Sequence, residues 1–404
     1  MSFGKLRASY GINGNASGIG AYTLQGSYGS SNSNGSFNYN GNTSYLITEL
    51  PNPNLRWEKT ATFEVGADLS FFANRLNTNL TYYNRLTSDK YAALSFPTST
   101  GFSSVTNNNG EFRNQGIEIE LSGKIIDSKD WTWSASGNIA FNKNKIVSLP
   151  DNGMERNRIN AFQVYTGNGD EKKWVGGQQE GQEPGILYLY QADGIYRSYD
   201  EIPANLVRKY GSRTYYGPEA WNKLTAEQQN ATTNFPIQPG DTKFHDVNGD
   251  DVIDEFDKVK VGATSPRWTG GFNTTLRWKN FQLYGRFDYA LGFWLYENSG
   301  TQSTTPWFMG CYQGTYNTPT MYYDTWSESN PNAKYPRYLF ADQNGKNNYI
   351  ASTMFAYRGD YLAIREISLS YSLPESAAKN VEDATCRSLY YRTEPGLHHR
   401  CEKM

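Results

Sequence analysis

The sequence of 404 residues contains no long hydrophobic run, and its mean hydropathy of -0.71 is strongly polar. A membrane-spanning helix needs about 20 mostly apolar residues, so this pattern excludes helical membrane proteins. The three cysteines are an odd number that supports no disulfide framework, and the three histidines form no spaced metal-binding cluster. A net charge of -2 gives no indication of nucleic-acid binding. No nucleophile is paired with a base, so the sequence predicts no enzyme activity.

The sequence is rich instead in stretches that alternate apolar and polar residues. In residues 61–71, apolar side chains occupy every second position, and residues 131–141 show a similar pattern. A period of two over about ten residues predicts a strand with one face in an apolar medium and the other in a polar one. The apolar side chains of such strands are expected to face lipid: Phe63, Val65, Leu69, Ile117, Ile119, Phe281, Leu283 and Phe287.

The predicted strands are joined alternately by tight turns, at residues 73–75, 128–130 and 279–280, and by long polar loops, one of which follows Tyr82 and extends to Arg113. Outer-membrane barrels have short periplasmic turns, long extracellular loops and aromatic girdles at both interfaces. The aromatic content of 15% fits such girdles. The sequence therefore predicts an all-β fold, a partial antiparallel transmembrane β-barrel with long extracellular loops. Residues 146–266 are then mainly extracellular, with a short helix near 218–229, and so is the loop of about 293–350.

Residues 246–257 carry oxygen-bearing side chains with the spacing of a calcium-binding loop. Positions 1, 3, 5, 9 and 12 of this segment are Asp246, Asn248, Asp250, Asp254 and Asp257. In EF-hand loops, oxygens at this spacing surround one hard cation. Two residues depart from that pattern, because Asp251 stands where a glycine usually permits the turn and Asp257 is shorter than the usual glutamate. The spacing predicts a Ca²⁺ site, and the alternative is a turn that hydrogen-bonds to its own backbone.

Aromatic residues are concentrated in the second long loop. Flat aromatic faces can stack on sugar rings, so this loop is a candidate surface for a substrate. The candidate residues are Trp307, Tyr312, Tyr322 and Trp326. The alternative is that these side chains anchor the loop at the membrane interface or pack against the protein's own loops.

Several phrases of the sequence together resemble the SusC/RagA family of TonB-linked outer-membrane transporters, which are TonB-dependent receptors. In family order they are LRASYGINGN (6–15), NPNLRWEKT (52–60), NQGIEIEL (114–121), ADGIY (192–196), PGDTKFHDVNGDDVIDEFDKVKVG (239–262), SPRWTGGF (265–272) and YLAIREISLSYSLP (361–374). The resemblance extends from about residue 5 to residue 376. It corresponds to the C-terminal half of the family's barrel. One departure is Ala363, where the family usually carries Arg.

The resemblance implies a plugged barrel in the outer membrane of a Gram-negative bacterium that imports glycan fragments or other nutrients. A SusD-like lipoprotein is expected to cover its outer side. The TonB–ExbB–ExbD complex is expected to supply energy through an N-terminal half that this sequence does not contain. The calcium-like loop belongs to the family pattern, so it does not indicate which substrate is carried.

The two ends of the sequence lead to further expectations. Residues 1–10 contain no apolar segment of a signal peptide, and residues 381–404 show no alternation. We therefore expect residues 1–380 to form an incomplete barrel that does not transport by itself, and residues 381–404 to be an aberrant, frameshifted tail in which the final barrel strands are missing. The alternative interpretation of the whole chain is a surface glycan-binding or adhesin β protein with calcium-stiffened loops.

Overall fold

The computed structural model describes residues 1–20, 23–32, 35–36, 38–102, 104–297, 324–337, 350–372, 387–393 and 397–399. Its largest element is one antiparallel sheet in which each strand pairs with its neighbours along the chain. The strands of this sheet are β1 (Phe3–Asn15), β2 (Glu58–Phe71), β3 (Leu76–Ser95), β4 (Ser104–Asp127), β5 (Trp131–Ser148), β6 (Trp268–Trp278), β7 (Phe281–Leu291), β8 (Tyr361–Ser372) and β9 (Arg387–Thr393). This up-and-down order confirms the predicted transmembrane barrel wall.

All three predicted tight turns lie at the same end of the sheet, between β2 and β3, β4 and β5, and β6 and β7. The first and third of these turns enter the left-handed region at Phe72, Ala73, Asn74 and Lys279, whose φ angles are 53°, 52°, 64° and 49°. Residues in that region reverse the chain within a few positions, so the strands pair up to the turn. The connections at the opposite end are long, except the one between β3 and β4.

Two predictions about the ends of strands are wrong. The polar segment of residues 83–113 was expected to be a long loop, but β3 and β4 remain paired through most of it, and their ladder ends at Ser95 and Ser104. Register shifts near Gly110 interrupt this pairing without ending it. The tail was expected to supply no strand, yet β9 and a short strand, Leu397–His399, both pair with β8. The frameshift origin of the tail stays a prediction.

The family phrase at residues 52–60 joins the start of β2 to these extended strands. The side-chain amide of Asn108 donates to the carbonyls of Arg56 and Asp89, both at 2.7 Å. The carboxylate of Glu58 is buried and accepts a hydrogen bond from the amide of Tyr91 at 3.0 Å. Polar side chains of this kind satisfy the backbone where the strand pairing is irregular, so the sheet can continue beyond its apolar band.

The two faces of the sheet differ sharply in chemistry. Because directly paired residues share a face, one row across the sheet reads Leu6, Ala67, Leu80, Ile119, Ile139, Gly270, Tyr289 and Leu362. The adjacent row on the other face reads Lys5, Asp68, Asn79, Glu120, Asn138, Gly271, Asp288 and Ala363. All eight residues predicted to contact lipid lie on the apolar face, which is therefore the outer face of the wall.

Aromatic side chains mark the two edges of the apolar face. Near the tight turns, Trp131 stacks on Trp278 with ring centroids 5.7 Å apart, and Trp278 lies 5.9 Å from Phe281. At the other edge, the rings of Phe141 and Trp268 are 4.7 Å apart. Phe141 follows Trp131 by ten positions on β5, which for a strand tilted by 35–45° is about 25 Å across the membrane. This height agrees with the apolar band of outer-membrane barrels.

On the polar, inner face, Gly116 allows an unusually close approach of a neighbouring side chain. An added Cβ at Gly116 would lie 2.1 Å from the carbonyl oxygen of Phe141 and 2.5 Å from the hydroxyl of Tyr83. The Tyr83 hydroxyl is also 3.0 Å from the side chain of Asn142, to which it donates a hydrogen bond. Any side chain at position 116 must displace Tyr83 or the paired strand.

We therefore expect Gly116→Ala to destabilise the barrel wall by about 1–3 kcal/mol, the usual cost of overpacking. The measurement is the temperature at which the folded, heat-modifiable form of the outer-membrane protein unfolds. Gly11→Ala is the matched control on the same face, because nothing lies within 4 Å of an added Cβ there. Equal unfolding temperatures for the two variants would contradict this account of Gly116.

The long connections contain short strands and helices of their own. Paired strands follow β5: Phe162–Tyr165 with Lys172–Val175, Ile186–Tyr190 with Lys258–Ala263, Ala192–Ile195 with Thr242–Phe244, and a mixed set of Val207–Tyr210, Arg213–Tyr216, Asn234–Pro236 and Val252–Ile253. Between β7 and β8, Trp294–Tyr296 pairs with Ala356–Arg358. The connection after β1 holds Ser27–Gly29 paired with Leu46–Glu49, and the two-residue pairs Ser31–Asn32 with Gly35–Ser36 and Asn38–Tyr39 with Asn42–Thr43.

The helical elements of the described chain are all short. Two α-helices, Pro218–Asn222 and Ala226–Gln229, lie where a short helix was predicted. The 3₁₀ turns are Thr98–Thr100, Glu155–Asn157, Tyr199–Glu201 and Thr353–Phe355. Among the described residues, no helix combines the length and the apolar character needed to cross a membrane.

Candidate functional site

The connections on the long-loop side of the sheet form a layer with its own apolar core. We call residues 149–267, 292–297, 324–337 and 350–360 the loop module. Its main core consists of buried side chains that come from both long connections: Tyr190, Tyr196, Ile202, Leu206, Tyr215, Ile237, Phe244, Ile253 and Ile350. Burial raises the pKa of the Tyr196 hydroxyl to about 12, so this phenol is neutral at physiological pH. The module is therefore a folded unit that can present a defined surface.

The predicted calcium loop lies in this module, and its acidic side chains accept hydrogen bonds from the loop's own backbone. Asp246 accepts from the amides of Gly249 at 2.7 Å and Asp251 at 2.8 Å. Asp250 accepts from the amide of Val252 at 2.8 Å. Asp251 has a φ of 62°, a conformation that Asp adopts more readily than most residues. The sharp turn thus forms without the usual glycine.

The second half of the loop is organised around Asp257, which is fully buried. Its carboxylate accepts hydrogen bonds from the amides of Val247 at 2.9 Å and Asp254 at 2.7 Å. Burial raises the pKa of Asp257 to about 6, and the two backbone hydrogen bonds oppose that shift. The Tyr165 hydroxyl donates to Asp254 at 3.5 Å. Burial raises the pKa of this tyrosine hydroxyl to about 12.

The five predicted calcium ligands share this loop but do not converge on one point. Among the residues that the structure describes, no group of three or more Asp, Glu, His or Cys side chains is arranged to hold a metal ion. The Asn248 amide donates to Asp170 of an adjoining hairpin at 3.0 Å. Its Oδ1 atom is buried and has no hydrogen-bond partner in the described part of the chain. The loop has the geometry of the alternative, a turn bonded to its own backbone, and the Ca²⁺ site stays a prediction.

Calcium binding by the loop can be measured through the proteolysis of the loop module. If the predicted ligands close around Ca²⁺, millimolar calcium should slow cleavage, because extracellular calcium modules bind with a Kd of about 10⁻⁴–10⁻³ M. We expect this protection in the wild type and its loss in Asp250→Ala, which removes one oxygen ligand. Glu255→Ala should retain it, since the exposed Glu255 lies outside the ligand set. Cleavage of the wild type at equal rates with and without calcium would leave only the turn.

Of the four aromatic residues predicted to bind a substrate, the structure describes one, Trp326. Trp307, Tyr312 and Tyr322 lie outside the described residues. Trp326 is half-buried, and its ring lies over Gly240, where an added Cβ would be 2.5 Å from the nearest ring atom. Trp326 therefore contacts the loop module itself, as the packing alternative describes. Its role in binding a substrate stays a prediction.

An ion pair that the sequence did not predict connects the two long connections. Asp241 is fully buried, and Nε of Arg337 donates to its carboxylate at 2.8 Å. Arg337 also donates from its side chain to Gln238 at 2.7 Å and from its backbone to the carbonyl of Gly240 at 2.9 Å. These contacts hold residues 324–337 against the part of the module that follows β5. The only sequence signal was that Asp241 belongs to a family phrase.

The inner face of the wall carries charged side chains that pair across strands. Arg7 lies 3.4 Å from Asp68 on the next strand, and Arg85 lies 3.1 Å from Glu64. Arg365 pairs with Asp288 in the same way on β7 and β8. Glu118 and Glu120 are exposed on this face, as expected for a hydrated lumen. Paired and exposed charges of this density need water or a polar partner, so the inner face borders an aqueous space.

The family model that matches this chain is described as TonB dependent receptor-like, beta-barrel, and it matches residues 3–216. The chain is 28% identical over 372 residues to TonB-dependent receptor P3 of Formosa agariphila. The aligned region covers 92% of this chain and 32% of that relative. It is 25% identical over 383 residues to the TonB-dependent receptor SusC of Bacteroides thetaiotaomicron, covering 91% of the chain and 31% of SusC. The chain thus spans about a third of the length of these curated relatives.

Solved structures of similar fold include the RagAB peptide transporter. The RagAB peptide transporter superposes on this chain with a TM-score of 0.62 and 22% sequence identity. The match covers 96% of this chain and 37% of the transporter chain. The RagAB peptide importer in its open-open state gives a TM-score of 0.64 and 21% identity over 98% of this chain and 37% of that chain. At such identities the similarity concerns the fold.

Proposed function

Because the chain belongs to the TonB-dependent receptor-like β-barrel family, we propose that it forms the wall and outer loops of a nutrient importer. Proteins of this family lie in the outer membrane of Gram-negative bacteria, and the relatives are receptors rather than enzymes. The observation that carries the proposal is the contrast between the two faces of the sheet. An apolar outer face and a charged inner face suit a wall between lipid and a hydrated passage.

The proposed cargo is a glycan fragment, with peptides as the competing class. In favour of a glycan, the inner face carries neutral amides and hydroxyls between its ion pairs, including Asn77, Asn79, Ser136, Asn138 and Asn273. Such groups both donate and accept hydrogen bonds, as sugar hydroxyls require. The similar RagAB structures are named as peptide transporters, which is why peptides are the alternative.

The proposal includes two sets of partners. A SusD-like lipoprotein would cover the loop module from outside, and the TonB–ExbB–ExbD complex would supply energy. Relatives of this chain carry the name TonB-dependent receptor, and these partners follow from the family resemblance. The loop module supports an outer partner because its independent core gives it a fixed shape.

The proposal is tested in the native bacterium by deleting the gene that encodes this chain. Cells are given fluorescent oligosaccharides and, separately, fluorescent peptides, and the label inside the cells is measured with and without a proton-gradient uncoupler. We expect deletion to abolish the energy-dependent uptake of one oligosaccharide class and complementation to restore it. Loss of peptide uptake instead would mean that the cargo is a peptide and not a glycan fragment. Unchanged uptake, with a loss of label held at the cell surface, would favour the glycan-binding or adhesin alternative.

A further inference from the structure

The outer face of the wall carries basic residues directly above the aromatic edge on the loop side. Residues that share this face on β5 are Phe141, Lys143 and Lys145, since every second side chain points the same way. Arg113 of β4 is paired directly with Lys145, and Gln115 is paired with Lys143. For strands tilted by 35–45°, Lys143 and Lys145 lie about 5 Å and about 10 Å beyond Phe141. This is the level of the lipid headgroups.

The pairing of Arg113 with Lys145 places two positive charges opposite each other. Like charges at directly opposed positions of an antiparallel pair repel and destabilise the sheet. Within the described residues, no carboxylate lies within ion-pair distance of Arg113, Lys143 or Lys145. The nearest acidic residue along β4, Glu111, lines a cavity on the opposite side with Ile146 and Ser148. The repulsion is therefore not balanced by the described part of the chain.

The two lysine side chains are accessible to a ligand, and the arginine retains an unused hydrogen-bond donor. Lys143 and Lys145 are exposed. The Nε atom of the half-buried Arg113 is shielded from solvent and has no hydrogen-bond partner in the described structure. A guanidinium and two ammonium groups on a lipid-facing surface are suited to a multiply charged oxygen anion, because Arg and Lys donate charge-assisted hydrogen bonds to phosphate.

We propose that Arg113, Lys143 and Lys145 form a binding site for the phosphate of a phosphorylated glycolipid in the outer leaflet. Charge complementarity and the position at headgroup level identify the ligand. The acyl chains of such a lipid would continue along the apolar face below Phe141. The glycolipid would bridge β4 and β5 and cancel their repulsion, so that lipid binding stabilises the wall beneath the loop module.

The test uses the receptor purified from native outer membranes in a mild detergent. Bound glycolipid is measured as lipid phosphate per protein and by native mass spectrometry. We expect Lys145→Glu to lower the apparent affinity for added lipopolysaccharide by about 30-fold or more. The substitution removes the charge of Lys145 and its carboxylate neutralises Arg113, and each basic residue near the membrane surface contributes about 1 kcal/mol. This substitution should not unfold the sheet, because it places a carboxylate opposite Arg113. Lys129→Glu, at the exposed turn on the other side of the membrane, should change nothing.

Three further arms separate the phosphate from other sources of binding. Lipopolysaccharide from which the phosphates have been removed should bind as weakly to the wild type as the intact lipid binds to Lys145→Glu. Lys145→Arg should retain the lipid, since it conserves the charge. Inorganic phosphate alone should give no stabilisation at concentrations that saturate the lipid. Equal retention of lipid in the wild type and Lys145→Glu, or full stabilisation by inorganic phosphate, would overturn the proposal.

Discussion

Replacing Arg337 with methionine should loosen the loop module by about 3–5 kcal/mol, because the substitution leaves a buried carboxylate without its partner. Asp241 is fully buried, and Arg337 supplies the only cation within ion-pair distance of it among the described residues. The expected result is rapid cleavage within residues 324–337 under conditions in which the wild type resists. The measurement is limited proteolysis of the receptor in its membrane, since cleavage reports the free energy of local opening.

Two comparisons make this prediction specific. Adding Asp241→Asn to Arg337→Met should recover much of the resistance, because an amide can still accept the hydrogen bond from the amide of Gln238. Arg56→Met breaks an ion pair with Asp89 in which the arginine side chain is 62% exposed. Exposed pairs contribute about 0–1 kcal/mol, so this control should resist proteolysis like the wild type. If Arg337→Met does the same, the ion pair does not hold the module together.

An arginine at Leu121 should prevent stable assembly of the wall. Leu121 lies on the outer face and is paired with Gly137, roughly midway between the aromatic edges at Trp131 and Phe141. Arginine at the bilayer midplane of a barrel costs about 2–4 kcal/mol. The expected result of Leu121→Arg is a large loss of the heat-modifiable form from the outer membrane of the native bacterium.

The control is the same arginine one position further along β4. Ser122 is exposed on the inner face, opposite Ser136. Ser122→Arg should assemble normally because its side chain extends into the hydrated passage. Both variants are quantified by the fraction of protein that migrates as the folded form without heating. Equal assembly of the two variants would mean that the faces have been assigned the wrong way round.

The alternation of side chains made the barrel wall predictable from the sequence. A strand that separates lipid from water must alternate, so β2 and β5 could be found in the sequence without any information on their neighbours. The tight turns were predictable because alternation stops and resumes within two or three residues. Residues 73–75 and 279–280 lie at the ends of hairpins in the structure as predicted.

The extensions of β3 and β4 beyond the membrane were not predictable in this way. Both faces of these extensions lie beyond the apolar band of the membrane, so nothing selects for alternating apolar side chains. Their pairing is supported by hydrogen bonds between residues that are not neighbours in the sequence, such as the one from the Asn108 side chain to the carbonyl of Asp89 on β3. A sequence of Asn, Gly and Thr residues is equally typical of a loop, and single-sequence patterns cannot distinguish the two.

The candidate site was predictable only where its residues lie close together in the sequence. The calcium-like spacing of residues 246–257 identified a loop whose acidic side chains do form a compact turn. The partner of Asp241 lies 96 positions away along the chain. The opposition of Arg113 and Lys145 depends on the register of two strands. Neither spacing nor composition contains that information, because such contacts arise from the way the sheet and the module fold.

The separate core of the loop module has a consequence for how such proteins diversify. The module leaves the wall after β5 and returns at β6, and it leaves again after β7 and returns at β8, while these strands pair directly with one another. Exchanging the module for that of a relative would therefore leave the register of the wall unchanged. Recombination or mutation could alter the proposed recognition surface while the membrane-spanning scaffold is inherited intact.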